Sequence, residues 1–331
     1  MKLENFIALT QAKLVNEPSI GSFENICFEA AKVKRGDIFF AYDIGDIELA
    51  VKNGAYVIVF ENEIAISDNE IAWVRVDSLE NALKKLLRFR MIEREIVAYE
   101  CDEIVLKLSL EVVTPPNIYT LYGNVRATFN SLWELQTGSI VLFCPTLNDA
   151  AIFTSIKTMP KSPSDSIDII EQTLFETTFI HNNIFYERQL LSPFFIPYLE
   201  NLLHFYEILN IEYKLKKFMP IEHFEAVFIN KKFEIKNFGT SERVLIFEPN
   251  SNLVKNQILF LEHHAPWANT IFVLPSDMPY EDADNVYVYK SEKEIINILQ
   301  NAKFNFALIV GVNKSILNKP IAEQRQLVFE F

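Results

Sequence analysis

Between residues 243 and 310, short β-prone runs alternate with helix-prone ones, and this alternation constrains the fold more than any other feature of the chain. Residues 244–247, 270–274, 286–289 and 306–310 read as strands, and 254–261 and 292–299 as helices. The order β-α-β-β-α-β requires a mainly parallel, doubly wound sheet. The start of the chain has the same character. Residues 3–14 read as a helix, 37–42 as a strand and 46–53 as a helix that Gly54 stops. Residues 55–60 form a buried strand and 73–76 another. Asp77-Ser78 then caps a helix over 79–90, whose Leu79, Leu83, Leu86 and Leu87 fall at helical spacing.

The middle of the chain is less regular. Thr114-Pro115-Pro116 breaks it before a short strand, a loop and a helix over 128–135, with a further strand over 139–143. Lys161-Ser-Pro-Ser-Asp-Ser166 reads as a surface loop, and Asp165, Asp168 and Glu171 as decoration of a loop and helix start. Two β-prone runs within 173–190 flank His181-Asn182-Asn183, a hairpin signal because Asn tolerates positive φ. A helix over 197–209 and a strand pair near 224–236 complete the segment. The expected organisation is three α/β units: 1–97, a reduced central unit over 98–240, and a Rossmann-type unit over 241–331.

Composition narrows the function. The chain has 331 residues, half of them hydrophobic and 28 of them Phe, which suffices for a sizeable core. No apolar run approaches the roughly 18–20 residues that cross a bilayer, so no membrane span is expected. Met-Lys-Leu-Glu-Asn-Phe at the start has no secretory h-region, and a cytoplasmic location is the expectation. Cys27, Cys101 and Cys144 show neither disulfide nor zinc spacing and read as reduced thiols. The net charge of −13 argues against a nucleic-acid partner. There are only eight glycines, none closer than the nine residues separating Gly36 from Gly45 and Gly45 from Gly54. No GxGxxG, GxxxxGK or GxSxG can be written, which removes dinucleotide-binding, ordinary P-loop and nucleophile-elbow readings.

The stretch Tyr119-Thr-Leu-Tyr-Gly-Asn-Val-Arg-Ala-Thr-Phe129 lies where a nucleotide-binding strand–loop–helix would lie. A phosphate cradle needs a second glycine, so that successive N–H groups can face the phosphates, and a lysine for the β/γ oxygens. Arg126 and Ala127 stand at those two places.

Residues 33–77 resemble the N-terminal domain of the Mur ligases, the ATP-dependent enzymes that extend the peptidoglycan precursor peptide, and most resemble the D-alanyl-D-alanine-adding ligase. The resemblance is carried by Val33-Lys-Arg-Gly-Asp-Ile-Phe-Phe-Ala41, Ala50-Val-Lys-Asn-Gly-Ala-Tyr-Val-Ile-Val59 and Val74-Arg-Val-Asp77. More faintly, Leu121-Tyr-Gly-Asn-Val-Arg-Ala-Thr128 falls at the family's TGSxGKT loop, and 175–201 is similar to its hairpin and "G.hN..N" helix, with Asn201 on the last Asn. Phe247-Glu-Pro-Asn-Ser-Asn252 is similar to the "D.YNANP" turn, and Asn305-Phe-Ala-Leu-Ile-Val-Gly-Val312 to the "LvKGS" strand. The resemblance implies a three-unit Mur-ligase-like α/β fold.

The departures from the family pattern fall on chemistry. The family phosphorylates a carboxylate with ATP and lets an amine attack the acyl phosphate, which requires the loop lysine and bound Mg²⁺. Here Ala127 replaces that lysine and Arg126 the second glycine, while Thr128 alone matches the Mg²⁺-binding hydroxyl. The uridine-site "D-S/T-R" falls near Glu29-Ala30-Ala31, Val310 stands in place of the late lysine, and the central segment is short for an ATPase sheet. The resemblance therefore implies a degenerate, non-catalytic relative with no cofactor, acting as a binding or regulatory module in peptidoglycan precursor synthesis. Its expected partner is a UDP-muramoyl peptide or a cell-wall synthesis protein.

Two alternatives stand beside this reading. One is a divergent amide ligase using ATP and Mg²⁺ at a rebuilt site. The other is an interaction module using the aromatic stretch 185–206. Gly123, Asn124, Arg126 and Thr128 are the candidate phosphate remnant; Asn201, Asn250, Asn252, Phe194 and Phe195 are candidate ligand or partner contacts. No metal site is expected: His263-His264 lack further ligands at zinc spacing and read as helix C-terminal charge. Glu281-Asp282-Ala-Asp284 lacks the EF-hand glycine. His204 reads as core or interface, His181 as a turn residue and His223 as isolated.

Overall fold

The computed structural model describes residues 1–163, 165–278 and 285–318, so the acidic run at 281–284 lies outside the described residues. The chain divides into two compact units, residues 1–110 with 114–160, and residues 111–113 with the chain from 161 onward.

In the first unit a five-stranded sheet runs in the order Lys13–Leu14, Ala72–Arg75, Val57–Phe60, Ile38–Phe40, Ile26–Cys27. Only the first pair is antiparallel. The Val57–Phe60 strand shows why the centre is apolar throughout: successive side chains point to opposite faces, and both faces are covered. Val57 and Val59 join a core with Leu83, Leu86 and Leu87. Ile58 and Phe60 join a second core with Ile47, Ala50 and Trp73. The helix Leu79–Glu93 begins where Ser78 Oγ accepts the Asn81 N–H at 3.3 Å, as the cap signal requires. Gly54 adopts φ +95° directly after the Ile47–Lys52 helix.

A four-stranded, wholly parallel sheet follows in the order Ile156–Thr158, Val97–Glu100, Ile140–Phe143, Ile118–Thr120. It shares the first core through Ala98, Val141, Phe143, Phe129 and Leu132. The N-terminal helix is shorter than expected, spanning Leu3–Thr10. The Thr10 hydroxyl donates to the Phe6 carbonyl at 2.7 Å and Gln11 turns left-handed (φ 59°), which frees Lys13 and Leu14 to pair with Arg75 and Val74.

The second unit carries an antiparallel three-stranded sheet, Asp168–Gln172, Thr177–His181 and Ile184–Gln189. Asn182 (φ 49°) and Asn183 (φ 60°) make its tight turn, the two-residue geometry that the Asn pair encodes. Asp168 and Glu171 therefore lie in a strand, not at a loop and helix start; every residue of that strand is exposed, so it carries no alternating burial pattern. After the helix Ile196–Ile208 comes the C-terminal sheet, in the order Glu225–Ile229, Arg243–Glu248, Phe306–Val310, Thr270–Pro275, Val286–Tyr289. All its neighbours are parallel except the first pair. The expected strand pair near 224–236 is one strand: Glu225–Ile229 pairs with Arg243–Glu248 and only an isolated bridge joins Ile229 to Ile235. Among the described residues no helix is long and apolar enough to cross a membrane, and no cluster of three metal-ligating side chains occurs.

Candidate functional site

The loop after the Ile118–Thr120 strand sits at the C-terminal edge of the parallel sheet, where open α/β sheets bind ligands. Leu121 is buried and its N–H donates to the Leu142 carbonyl at 2.8 Å, which fixes where the chain leaves the sheet. Gly123 turns with φ +124°, and a Cβ there would lie 3.4 Å from Thr128 Cγ2. Asn124 then caps the helix Val125–Trp133: its side-chain oxygen accepts the Ala127 N–H at 2.9 Å.

The side chains of Thr128 and Arg126 and the Gly123 carbonyl also have partners within the unit. The buried Thr128 hydroxyl donates to the Asn124 carbonyl at 2.9 Å, one turn back in its own helix. Arg126 donates to the Phe28 carbonyl at 3.2 Å and its guanidinium lies 4.2 Å from the centre of the Tyr42 ring. Burial pushes the Tyr42 phenol above its ordinary value, with the Arg126 charge opposing. Asn148 donates to the Gly123 carbonyl at 3.3 Å, bracing the loop from the far side. The four candidate loop residues are thus together; Thr128 is buried, whereas Gly123, Asn124 and Arg126 are exposed and hydrogen-bond at the surface.

A polar hollow of about 440 Å³ elsewhere in this unit is lined by Lys84, Lys85, Arg88 and Asp149. Its cations are already paired. Lys84 lies 2.8 Å from both Asp149 and Glu80, Lys85 donates to the Thr10 carbonyl, and Arg88 to the Ala151 carbonyl. The hydrogen bond with Lys84 holds the Asp149 carboxyl below its usual range, and that with Asp149 raises Lys84.

The second unit does not gather its candidate residues. Asn201 accepts the Ser162 N–H at 2.7 Å, and its neighbour Glu200, buried beside the apolar residues of its helix, accepts the N–H groups of Ser166 (2.7 Å) and Ile167 (3.1 Å). Together they clamp the incoming segment. Asn250 caps the turn at Ser251–Leu253 by accepting the Asn252 N–H at 3.0 Å. Phe194 and Phe195 are core residues, 9% and 4% exposed, with Phe194 stacked on Phe224 at 5.7 Å.

Sequence reasoning missed one constellation. Glu248 and His223 are fully buried, with the imidazole Nδ1 2.7 Å from the carboxylate. Glu248 also accepts from the N–H groups of Asn250 (2.8 Å) and Phe224 (3.2 Å) and from the Gln257 amide. His223 is therefore not isolated, and His181 is more than a turn residue: it is buried between the Ser166 carbonyl (3.0 Å) and the Tyr213 hydroxyl (2.8 Å). The only signal for the Glu248 cluster was its Glu-Pro-Asn turn, because His223 lies 25 residues away in sequence.

Neither protein-family models nor curated proteins give a match to this sequence. Solved structures do. A crystal structure of MurF from Acinetobacter baumannii aligns over 93% of this chain and 95% of its own, at 12% identity and a TM-score of 0.53. A second crystal structure of that protein covers the same shares at 11% identity and a TM-score of 0.49. MurF ligase from Thermotoga maritima in complex with ADP covers 88% of this chain and 95% of its own, at 11% identity and a TM-score of 0.48. The likeness at the first of these establishes a Mur-ligase-like α/β fold for the chain.

Proposed function

We propose that this protein is a Mur-ligase-like binding or regulatory module of peptidoglycan precursor synthesis that does not carry out ATP-dependent ligation. One observation carries the reading: the Gly123–Thr128 loop has no lysine, and its Asn124, Arg126 and Thr128 side chains each have a partner within the unit. A triphosphate at a helix N-terminus needs exposed N–H donors and a cation aimed at the β/γ oxygens. Asn124 Oδ1 occupies the Ala127 N–H, Arg126 is drawn to the Phe28 carbonyl and the Tyr42 ring, and Ala127 brings no charge. The Thr128 hydroxyl, the group left to hold Mg²⁺, is buried against the Asn124 carbonyl. The residues present do not fit Mg²⁺-ATP. The link to a UDP-muramoyl peptide rests on the fold shared with MurF and on the sequence resemblance over 33–77, an association and not a contact.

The test is calorimetric titration with UDP-N-acetylmuramoyl peptide in the absence of nucleotide. Saturable binding supports the proposal; absence of heat up to millimolar ligand contradicts it. A second reading, a protein-docking surface, draws on one observation: Ile184 and Phe185 in the hairpin are 55% and 56% exposed. On that reading the aromatic residue to substitute is Phe185, since Phe194 and Phe195 are buried, and Phe185→Ala releases a captured partner.

A further inference from the structure

The second unit contains a cavity of about 610 Å³ at the N-terminal ends of the parallel strands Arg243–Glu248 and Phe306–Val310, where Val244 and Phe306 form a register pair. That is the end of the sheet opposite the Glu248 turn. Its walls come from five separate segments. The turn at residues 173–176 brings Phe175 and is held by Thr173 Oγ1, which accepts the N–H groups of Phe175 (3.2 Å) and Glu176 (3.0 Å). Phe228 and Phe238 stand beside it, 4.8 Å apart. Phe306 forms the floor, and Trp267, 73% exposed, meets it edge-on at 5.8 Å.

The lining charges are all of one sign. Glu176 and Glu242 are the ionisable side chains of the lining, and no Lys, Arg or His belongs to it. Glu176 pairs with the exposed Arg188 at 3.6 Å, whereas Glu242 is exposed and has no ion pair among the described residues. The cation next along the chain is directed elsewhere: the Arg243 guanidinium lies 4.2 Å from the Phe304 ring centre and donates to the Ala302 carbonyl. Five aromatic rings present quadrupoles whose faces are negative, and carboxylates add to that field. An anion entering this space meets two carboxylates and no cationic side chain of the lining; a neutral apolar body gains burial alone. A cation with an apolar skirt gains both.

We propose that this cavity is a binding site for a small organic ammonium ion, separate from the 123–128 loop and independent of whether that loop binds phosphate. Trp267 reports on it, because Trp73 is fully buried and Trp133 lies in the other unit.

The experiment is a fluorescence and calorimetric titration of the full chain with choline and with its uncharged isostere 3,3-dimethylbutan-1-ol. Choline is expected to shift the emission saturably and to bind about tenfold tighter than the isostere, the size of a partly desolvated cation–π contribution. Glu242→Gln, at an exposed position that leaves folding intact, is expected to weaken choline about threefold and the isostere not at all. Trp267→Phe is expected to abolish the emission change while calorimetry still detects binding. Equal affinity for the two ligands, or no saturable binding of choline, overturns the proposal.

Discussion

Two strand–turn–helix segments of this chain have the same outline and opposite construction. In the first unit, the strand Ile118–Thr120 leads through Gly123 to the helix Val125–Trp133, and the turn is held by side chains at the surface: Asn124, Asn148 and Arg126. In the second unit, the strand Arg243–Glu248 leads to the helix Val254–His264, and the turn is held from within by one fully buried carboxylate. A surface hydrogen bond exchanges with water at little net cost, whereas a buried charge must keep every partner. Apart from Gly123, the first turn can therefore change its residues at a smaller loss of stability than the second.

Substitutions at the two turns sharpen or break that contrast. Glu248→Ala strands the buried His223 and Gln257 donors, and should cost about 3–5 kcal/mol in urea unfolding. A loss below about 1 kcal/mol would mean the cluster is not the anchor described. Gly123→Ala should cost about 1–3 kcal/mol, because alanine must adopt φ +124° and its Cβ meets Thr128. Asn124→Ala, which removes the cap on Ala127, should cost about 1 kcal/mol by the same measurement.

The smallest effect belongs to the Lys84–Asp149 pair beside the first turn. Asp149 is held below its usual range by Lys84, so its contribution is present at neutral pH and disappears as pH falls through the depressed value. Because both groups are partly exposed, the wild type should exceed Asp149→Asn by no more than about 1 kcal/mol at pH 7. The difference should close in acid; a gap that widens on acidification would reverse the assignment.

The sequence was most legible where both faces of a sheet are covered. The strand Phe306–Val310, buried at every residue, lies where its apolar run places it, and Ser78 and Gly54 mark helix ends by mechanism. It was least legible where no local residue type announces the structure. Gln11 ends a helix without a glycine, and the strand Asp168–Gln172 lacks a buried face. Phe194 and Phe195 look the same in sequence whether they face a partner or a core. At the candidate site the position of the loop was readable and the direction of Arg126 was not, because the Phe28 carbonyl and Tyr42 that hold it lie 98 and 84 residues away in sequence.

The account stands most directly on whether the first turn retains nucleotide binding. Calorimetric titration of the wild-type protein with Mg²⁺-ATP measures this in one step. No saturable heat up to millimolar nucleotide is the result expected of a turn that lacks a lysine, whose Ala127 N–H is taken by Asn124 and whose arginine is drawn to Phe28 and Tyr42. Saturable binding that disappears in Arg126→Ala would contradict it and return the chain to the ATP-dependent enzymes.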